Sequence, residues 1–275
     1  MNTSVMTGEP AGRYTHGHAR AVLASHGART AANSAAYLIP HLSSGMAVLD
    51  VGCGPGTITL DLAEIVAPGV VTGLERVEEP LTSARLTAAA RGDHTTRFEQ
   101  GDAMHLPYPD ASFDVVHAHQ VLQHLMDPVG ALREMMRVCR PGGWIAARDA
   151  DYAAMTWYPE IREIDGWRSV YSRIARANGG EPGAGRRMRA WSRAAGIPHA
   201  VFSTSVWTYA TAEECAWWGN GQANRVLGAT FVQQAAQHGI SAEQVRAMAT
   251  GWREWGDHPD AWFSMPHAEL LARMP

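Results

Sequence analysis

Three glycines spaced two apart, Gly52, Gly54 and Gly56, follow the apolar run Val48-Leu49-Asp50-Val51 and precede Thr57. A strand that enters such a turn and opens a helix brings unpaired backbone N–H groups to one point. Glycine there lets a ligand approach the backbone without meeting a side chain. The spacing is not that of the dinucleotide fingerprint G-x-G-x-x-G, whose third glycine falls one residue later. Asp50 beside the turn would repel a pyrophosphate and favours a ligand carrying an ammonium group. Glu75 closes a second apolar run about twenty residues on, where a carboxylate can accept from both hydroxyls of a ribose. Gly101-Asp102-Ala103 follows a third run, and Asp102 can accept from an adenine amino group. Three acceptors at the ends of three consecutive strands line one crevice, where open α/β sheets bind their ligands. An amino acid, a sugar and a purine in one charged molecule describe S-adenosylmethionine.

Side chains able to move a proton cluster near the same place in the chain. His16, His18, His117, His119 and His124 are the candidate bases, since an imidazole works near neutral pH. His119 comes first, because it ends a fourth strand at the mouth of the sheet; a structural histidine is the competing reading. Gln120 follows it. His124 faces the acceptor or packs in the next helix. Arg148, Asp149, Asp151 and Tyr152 end a fifth strand, with Asp151 placed to orient a hydroxyl and Tyr152 to line the pocket; a salt-bridged loop is the competing reading. Tyr14 and His16, in the segment YTHGH, read either as a lid over the pocket or as a polar cluster opening a helix. His117 and His119 fall on one side of a strand. Yet no third ligand stands at a useful spacing and there is no HExxH, so no metal is expected.

The elements that must position these groups alternate. Strands are expected at 46–51, 70–74, 96–100, 113–118 and 144–148, with helices at 57–66, 80–91 and 128–138. Alternation of this kind signals a parallel sheet with helices on both faces. Residues 14–42 read as helical, and 1–12 as a loose tail. The second half carries helices over 160–177, 187–195 and most of 211–255, with strands at 200–209 and 262–271. Ile161, Ile164, Trp167, Val170, Tyr171 and Ile174 make one apolar helix face. The organisation expected is an N-terminal segment, 1–42, that serves as a lid or an oligomerisation element, and one domain, 43–275, with substrate-side helices over 153–196 and 211–256.

The totals narrow the field. The 275 residues include 23 Lys and Arg against 27 Asp and Glu, a net charge of −4, so there is no basic field for nucleic acid. Cys53, Cys139 and Cys215 are too few and too scattered for a disulfide framework. The opening MNTSVMTGEPAG lacks the pattern of a signal peptide, and no apolar run approaches the roughly 20 residues that cross a bilayer. A cytoplasmic protein that binds no membrane is expected. Of ten tryptophans, nine follow the fifth strand. Most must be core, but pockets for bulky apolar ligands are lined in this way, and Trp157 is the one expected to face the substrate.

The segments VLDVGCGPGT, GLE, GDAMHLPYPDASFDVVHAHQVLQHL and LREMMRVCRPGGW resemble the class I S-adenosylmethionine-dependent methyltransferases, most of all the ubiquinone and menaquinone biosynthesis type. The resemblance is specific over about residues 45–150. It implies a Rossmann-like seven-stranded sheet of order 3-2-1-4-5-7-6, its seventh strand antiparallel. It places Gly52, Gly54, Gly56 and Thr57, with Asp50, at the methionine part, Glu75 and Arg76 at the ribose, Gly101, Asp102 and Ala103 at the adenine, and His119 and Gln120 beside the methionine part or the acceptor. The expected activity is methyl transfer to oxygen or carbon of a small, bulky apolar metabolite, an isoprenoid, polyketide or aromatic acceptor of secondary metabolism. The Arg-rich, Lys-poor composition is associated with high-GC bacteria. The alternatives are a related fold that uses its pocket for cyclisation or binding, an NAD-dependent oxidoreductase, and an RNA or protein methyltransferase. A homo-oligomer formed through the N-terminal helices is a further expectation.

Overall fold

The computed structural model describes residues 28–275. Tyr14, His16 and His18 lie outside the described residues, as does most of the expected N-terminal helix. Among the described residues no helix is long and apolar enough to cross a membrane.

The sheet forms from β1 (Val48–Val51), β2 (Val71–Glu75), β3 (Arg97–Gln100), β4 (Phe113–His119), β5 (Cys139–Ala150), β6 (Thr156–Tyr158), β7 (Val201–Tyr209) and β8 (Trp262–Arg273). The path runs β3-β2-β1-β4-β5-β8-β6, with β7 also paired to β8. The first five strands are parallel, and β8 is antiparallel to β5 and β7. Phe263 and Ser264 of β8 each pair with both β6 and β7, so those two strands flank β8 on opposite sides. The short β6 therefore continues the track of β5 after a break at Asp151–Met155. Without it, seven strands remain in the expected order.

Burial explains the apolar runs in β1 and in the middle of β4: helices cover both faces of a parallel sheet. On one face, α4 (Pro128–Val138) and α6 (Ala184–Ala195) pack over Val116, Ala118, Ile145 and Leu270. On the other, α2 (Thr57–Val66) and the segment around Leu38 cover Val48, Val71, Val115 and Ala146. The helix α3 (Glu78–Arg91) opens on two acidic residues and ends on Gly92 in the left-handed conformation, signals that suit its dipole and its C-cap. Asp127 caps α4 through the Gly130 N–H at 2.8 Å.

Most tryptophans lie in a second core beyond the sheet, where α5 (Arg162–Ala177), α7 (Ala212–Val226), α8 (Ala229–Gln237) and α9 (Ala242–Gly256) meet. Trp252 and Trp255 are fully buried there, with Trp167, Trp218 and Phe263 around them. Helix α6, within the span expected on the substrate side, instead packs against α4 and β8.

Two local expectations differ from the structure. Of the stretch 14–42 read as helical, the described part holds only one α-helical turn, α1 (Ala31–Ser34), followed by a 3₁₀ turn at Ile39–His41. Thr30 and Asn33 form a capping box that starts the turn, but Ala35 leaves the helical conformation at φ −136°, and Pro40 has no N–H to continue a helical ladder. Conversely, the strand expected at 144–148 begins five residues early, at Cys139. The backbone pairs Gly142 N to Met274 O (3.0 Å) and Met274 N to Gly143 O (2.8 Å) keep that stretch on the sheet.

Candidate functional site

A cavity of about 860 Å³ opens where β1, β2 and β4 end. Its first half is built from backbone. Gly52, Gly54 and Gly56 have φ of 69°, 54° and 78°, a region that other residues enter at a cost. A Cβ on Gly52 would stand 2.4 Å from Val121 Cγ2, so the turn and the loop after β4 close on each other only through glycine. Gly56 does not line the cavity. A Cβ there would meet Ala84 and Phe98 at 2.9 Å, so this glycine lets α3 and β3 pack against the start of α2.

Glu75 lines the cavity at the end of β2. Its carboxylate accepts from Arg76 N at 2.6 Å and Gly54 N at 3.3 Å, which fixes it against the glycine turn. Asp102 accepts from Met104 N at 2.9 Å, and with Gly101, Ala103 and Met104 forms the next stretch of wall. Asp50 also reaches the cavity, but both its oxygens have partners: the Thr59 hydroxyl at 2.6 Å and His117 Nδ1 at 2.8 Å. His117 is thereby committed to Asp50 and does not line the cavity with His119.

The second half is aromatic and basic. His119 is 5% exposed, and neither ring nitrogen has a hydrogen-bond partner among the described residues. Burial, with the Arg29 and Arg148 guanidiniums nearby, holds its pKa well below the ordinary histidine range, so the ring is neutral at neutral pH. Its ring centroid lies 5.7 Å from that of Trp207 and 6.2 Å from that of His267. Gln120, at φ 54°, ties this half together. Its side-chain oxygen accepts from Arg29 at 2.9 Å, and its amide lies 2.8 Å from His267 Nε2. His267 Nδ1 sits 2.9 Å from the Met265 carbonyl and must donate to it, which leaves Nε2 to accept from Gln120. Burial lowers the His267 pKa as well, consistent with that neutral tautomer. Behind Trp207, the fully buried Arg148 donates to the Ser205 hydroxyl at 2.9 Å and lies 3.5 Å from Glu269; burial brings its pKa down to about 10.

Tyr152 and His124 line the cavity as expected from their place in the chain. His124 ends the 3₁₀ turn Leu122–His124 rather than standing in α4, and burial takes its pKa down to about 3. Asp151 and Trp157 are not brought to the cavity. Asp151 caps a 3₁₀ turn and accepts from Arg186 at 2.5 and 2.9 Å; Trp157 sits in the helical core under Arg168. Sequence reasoning missed Arg29, Trp207, Trp218, Arg225 and Met265, all of which line the cavity.

Residues 42–191 match the family model described as a methyltransferase domain. An uncharacterized methyltransferase of Schizosaccharomyces pombe is 32% identical over 269 residues, covering 94% of this chain and 95% of that protein. The demethylmenaquinone methyltransferase of Lactococcus lactis is 34% identical over 122 residues, 44% of this chain and 48% of that enzyme. Among solved structures, the (4+2) cyclase SpnF superposes with a TM-score of 0.52 at 25% identity, over 90% of this chain and 85% of that one.

Proposed function

The chain belongs to the class I S-adenosylmethionine-dependent methyltransferases, and from that premise we propose that it methylates oxygen or carbon of a small acceptor with a bulky, aromatic or otherwise apolar body. The observation that carries this reading is a single cavity that joins the backbone-walled glycine cradle to a chamber of aromatic side chains around His119.

The glycine half fits the cofactor. Gly52 and Gly54 bring bare backbone to the cavity wall, so no side chain of the turn stands between it and a ligand. Glu75 would hold the ribose, with Arg76 beside it; Asp102 and Ala103 would face the adenine. Asp50, held by Thr59 and His117, adds negative charge close to the amino-acid end and steadies the start of α2. The cofactor supplies a methyl group already activated on a sulfonium, so the protein's task is alignment and exclusion of water. His119 is neutral and oriented at the junction of the two halves, able to take a proton from an acceptor hydroxyl. Gln120 keeps its neighbour His267 in one tautomer. Tyr152 and His124 form the acceptor wall, to which Tyr14 and His16 would add if the N-terminal segment covers the mouth. Asp151, held by Arg186, has no role here, nor has Trp157.

Calorimetry with S-adenosylhomocysteine, followed by transfer of labelled methyl to a panel of aromatic, polyketide and isoprenoid acceptors, tests the reading. Micromolar binding and an acceptor heavier by one methylene are expected. No binding, with Glu75→Ala indistinguishable from the parent, overturns it. The likeness to a cyclase keeps cyclisation as a second reading, recognised by a product of unchanged mass.

A further inference from the structure

The sheet guards two of its margins and leaves a third open. At one end β3 is four residues long and carries Arg97 and Glu99, and β6 is only three residues long. Short or charged strands of this kind discourage pairing with another chain. By contrast β7 runs for nine residues, Val201–Tyr209, with no charge, proline or glycine. All nine pair with β8 in one unbroken register, so no bulge turns the strand away. Among the described residues no strand pairs with its other edge, and no backbone group of β7 bonds outside the β8 ladder. Val201 is 65% exposed, Val206 48% and Phe202 36%, so the margin is apolar as well as open. Opposite charges stand at its two ends. Arg189 and Arg193 lie in α6, which leads into β7, and Glu213 and Glu214 open α7, which follows it; all four are exposed.

We propose that β7 is the interface of a homodimer, in which it pairs antiparallel with the same strand of a second copy about an axis through Ser205. An open ladder calls for an extended strand as its occupant. Pairing with itself satisfies both open edges at once and closes the assembly, as a two-fold contact must. In that register Val201 faces the partner's Tyr209, Phe202 the partner's Thr208, Ser203 the partner's Trp207 and Thr204 the partner's Val206. Each match sets β-branched, aromatic or hydroxyl side chains side by side, with no like charges opposed. The flanking charges select the same occupant, because antiparallel pairing brings the basic end of one copy to the acidic end of the other, twice over. Trp207 belongs to β7 and lines the cavity, so the contact backs directly on the aromatic wall.

The test is analytical ultracentrifugation of the full chain over a range of concentrations, where the parent is expected to sediment with twice the mass of one chain. Thr204→Lys combined with Val206→Lys sets lysine against lysine at two places in the proposed register. That variant should dissociate at least about tenfold more readily, while keeping the parent's Tm at low concentration. Should it fail to fold, single cysteines carry the test. Ser205→Cys lies on the axis and should form a disulfide between chains under mild oxidation. Phe202→Cys should not, because antiparallel pairing holds its two copies about 20 Å apart. The native cysteines are buried and do not compete. A parent that is monomeric throughout overturns the proposal and leaves the edge to an extended peptide of another protein. A dimer that the lysines leave intact overturns it too and puts the contact elsewhere, as does equal cross-linking through both cysteines.

Discussion

The two halves of the cavity solve recognition in opposite ways. The glycine half presents main chain from consecutive strand ends, with carboxylates placed behind and beside it. The far half presents side chains only: two arginines, two indoles and a neutral imidazole brought in from β4, β7, α7 and the segment before α1. A wall of backbone tolerates almost no change of residue, because a single Cβ intrudes. A wall of side chains can be recut without touching the fold. One half can therefore stay committed to one ligand while the other changes its partner.

The largest expected effect separates chemistry from binding. His119→Ala should lower kcat for an active acceptor by about 10²-fold or more, the usual worth of a general base, and leave S-adenosylhomocysteine affinity within about twofold. In the parent, the rate should stay flat as pH falls through the ordinary histidine range. The imidazole's pKa is depressed, so the base is protonated and lost only in more acid solution. A rate that halves near pH 6.5 would show an unperturbed histidine instead. Next comes Gly52→Val. The left-handed backbone and the contact with Val121 should weaken S-adenosylhomocysteine by about a hundredfold, and leave acceptor affinity in the far chamber intact. If both properties fall together, the halves are not independent. Glu75→Ala should follow with about a tenfold loss in the same titration, near the value of a hydrogen bond to a charged group.

The smallest effect is on stability. Asp149 is fully buried beneath the acceptor loop, where it accepts from Gln123 N at 3.0 Å, and burial pushes its pKa up to about 7. The folded protein keeps this proton at pH values where the unfolded chain, with an ordinary carboxyl pKa near ~3.9, has released it. Stability from this group is complete below about pH 4, declines up to about pH 7 and is gone above that. Asp149→Asn should thus raise Tm by a few degrees at pH 8 and change little at pH 4. Equal shifts at both would mean that the carboxyl titrates normally.

Much of the donor half was legible because it is contiguous. Gly52 and Glu75 stand at the ends of apolar runs, Gly54 in the turn that follows the first, and Asp102 just past a short third strand, so finding the strands finds the crevice. Gly56 was legible as a glycine but not as a packing residue, since its neighbours Ala84 and Phe98 belong to other units. Little of the acceptor half could be read. Arg29 and Gln120 are 91 residues apart, and Gln120 and His267 are 147 apart. The placing of β8 beside β5 and β7 brings His267 to Gln120, the packing of the segment before α1 brings Arg29, and no local periodicity encodes either. Asp151 misled because its position after β5 suits catalysis; what decides its role is Arg186, on a helix that packs elsewhere.

The strand β8 also bears on how the chain is made. It lies inside the sheet, yet it is synthesised after every other strand of that sheet. Until it emerges from the ribosome, one edge of β5 and all of β7 have open ladders, and Arg148 lacks Glu269. The nucleotide-facing strands can pair with each other well before that. Newly made chains should therefore pass through a stage in which the cradle can form but the chamber cannot, with unpaired strand edges that invite association.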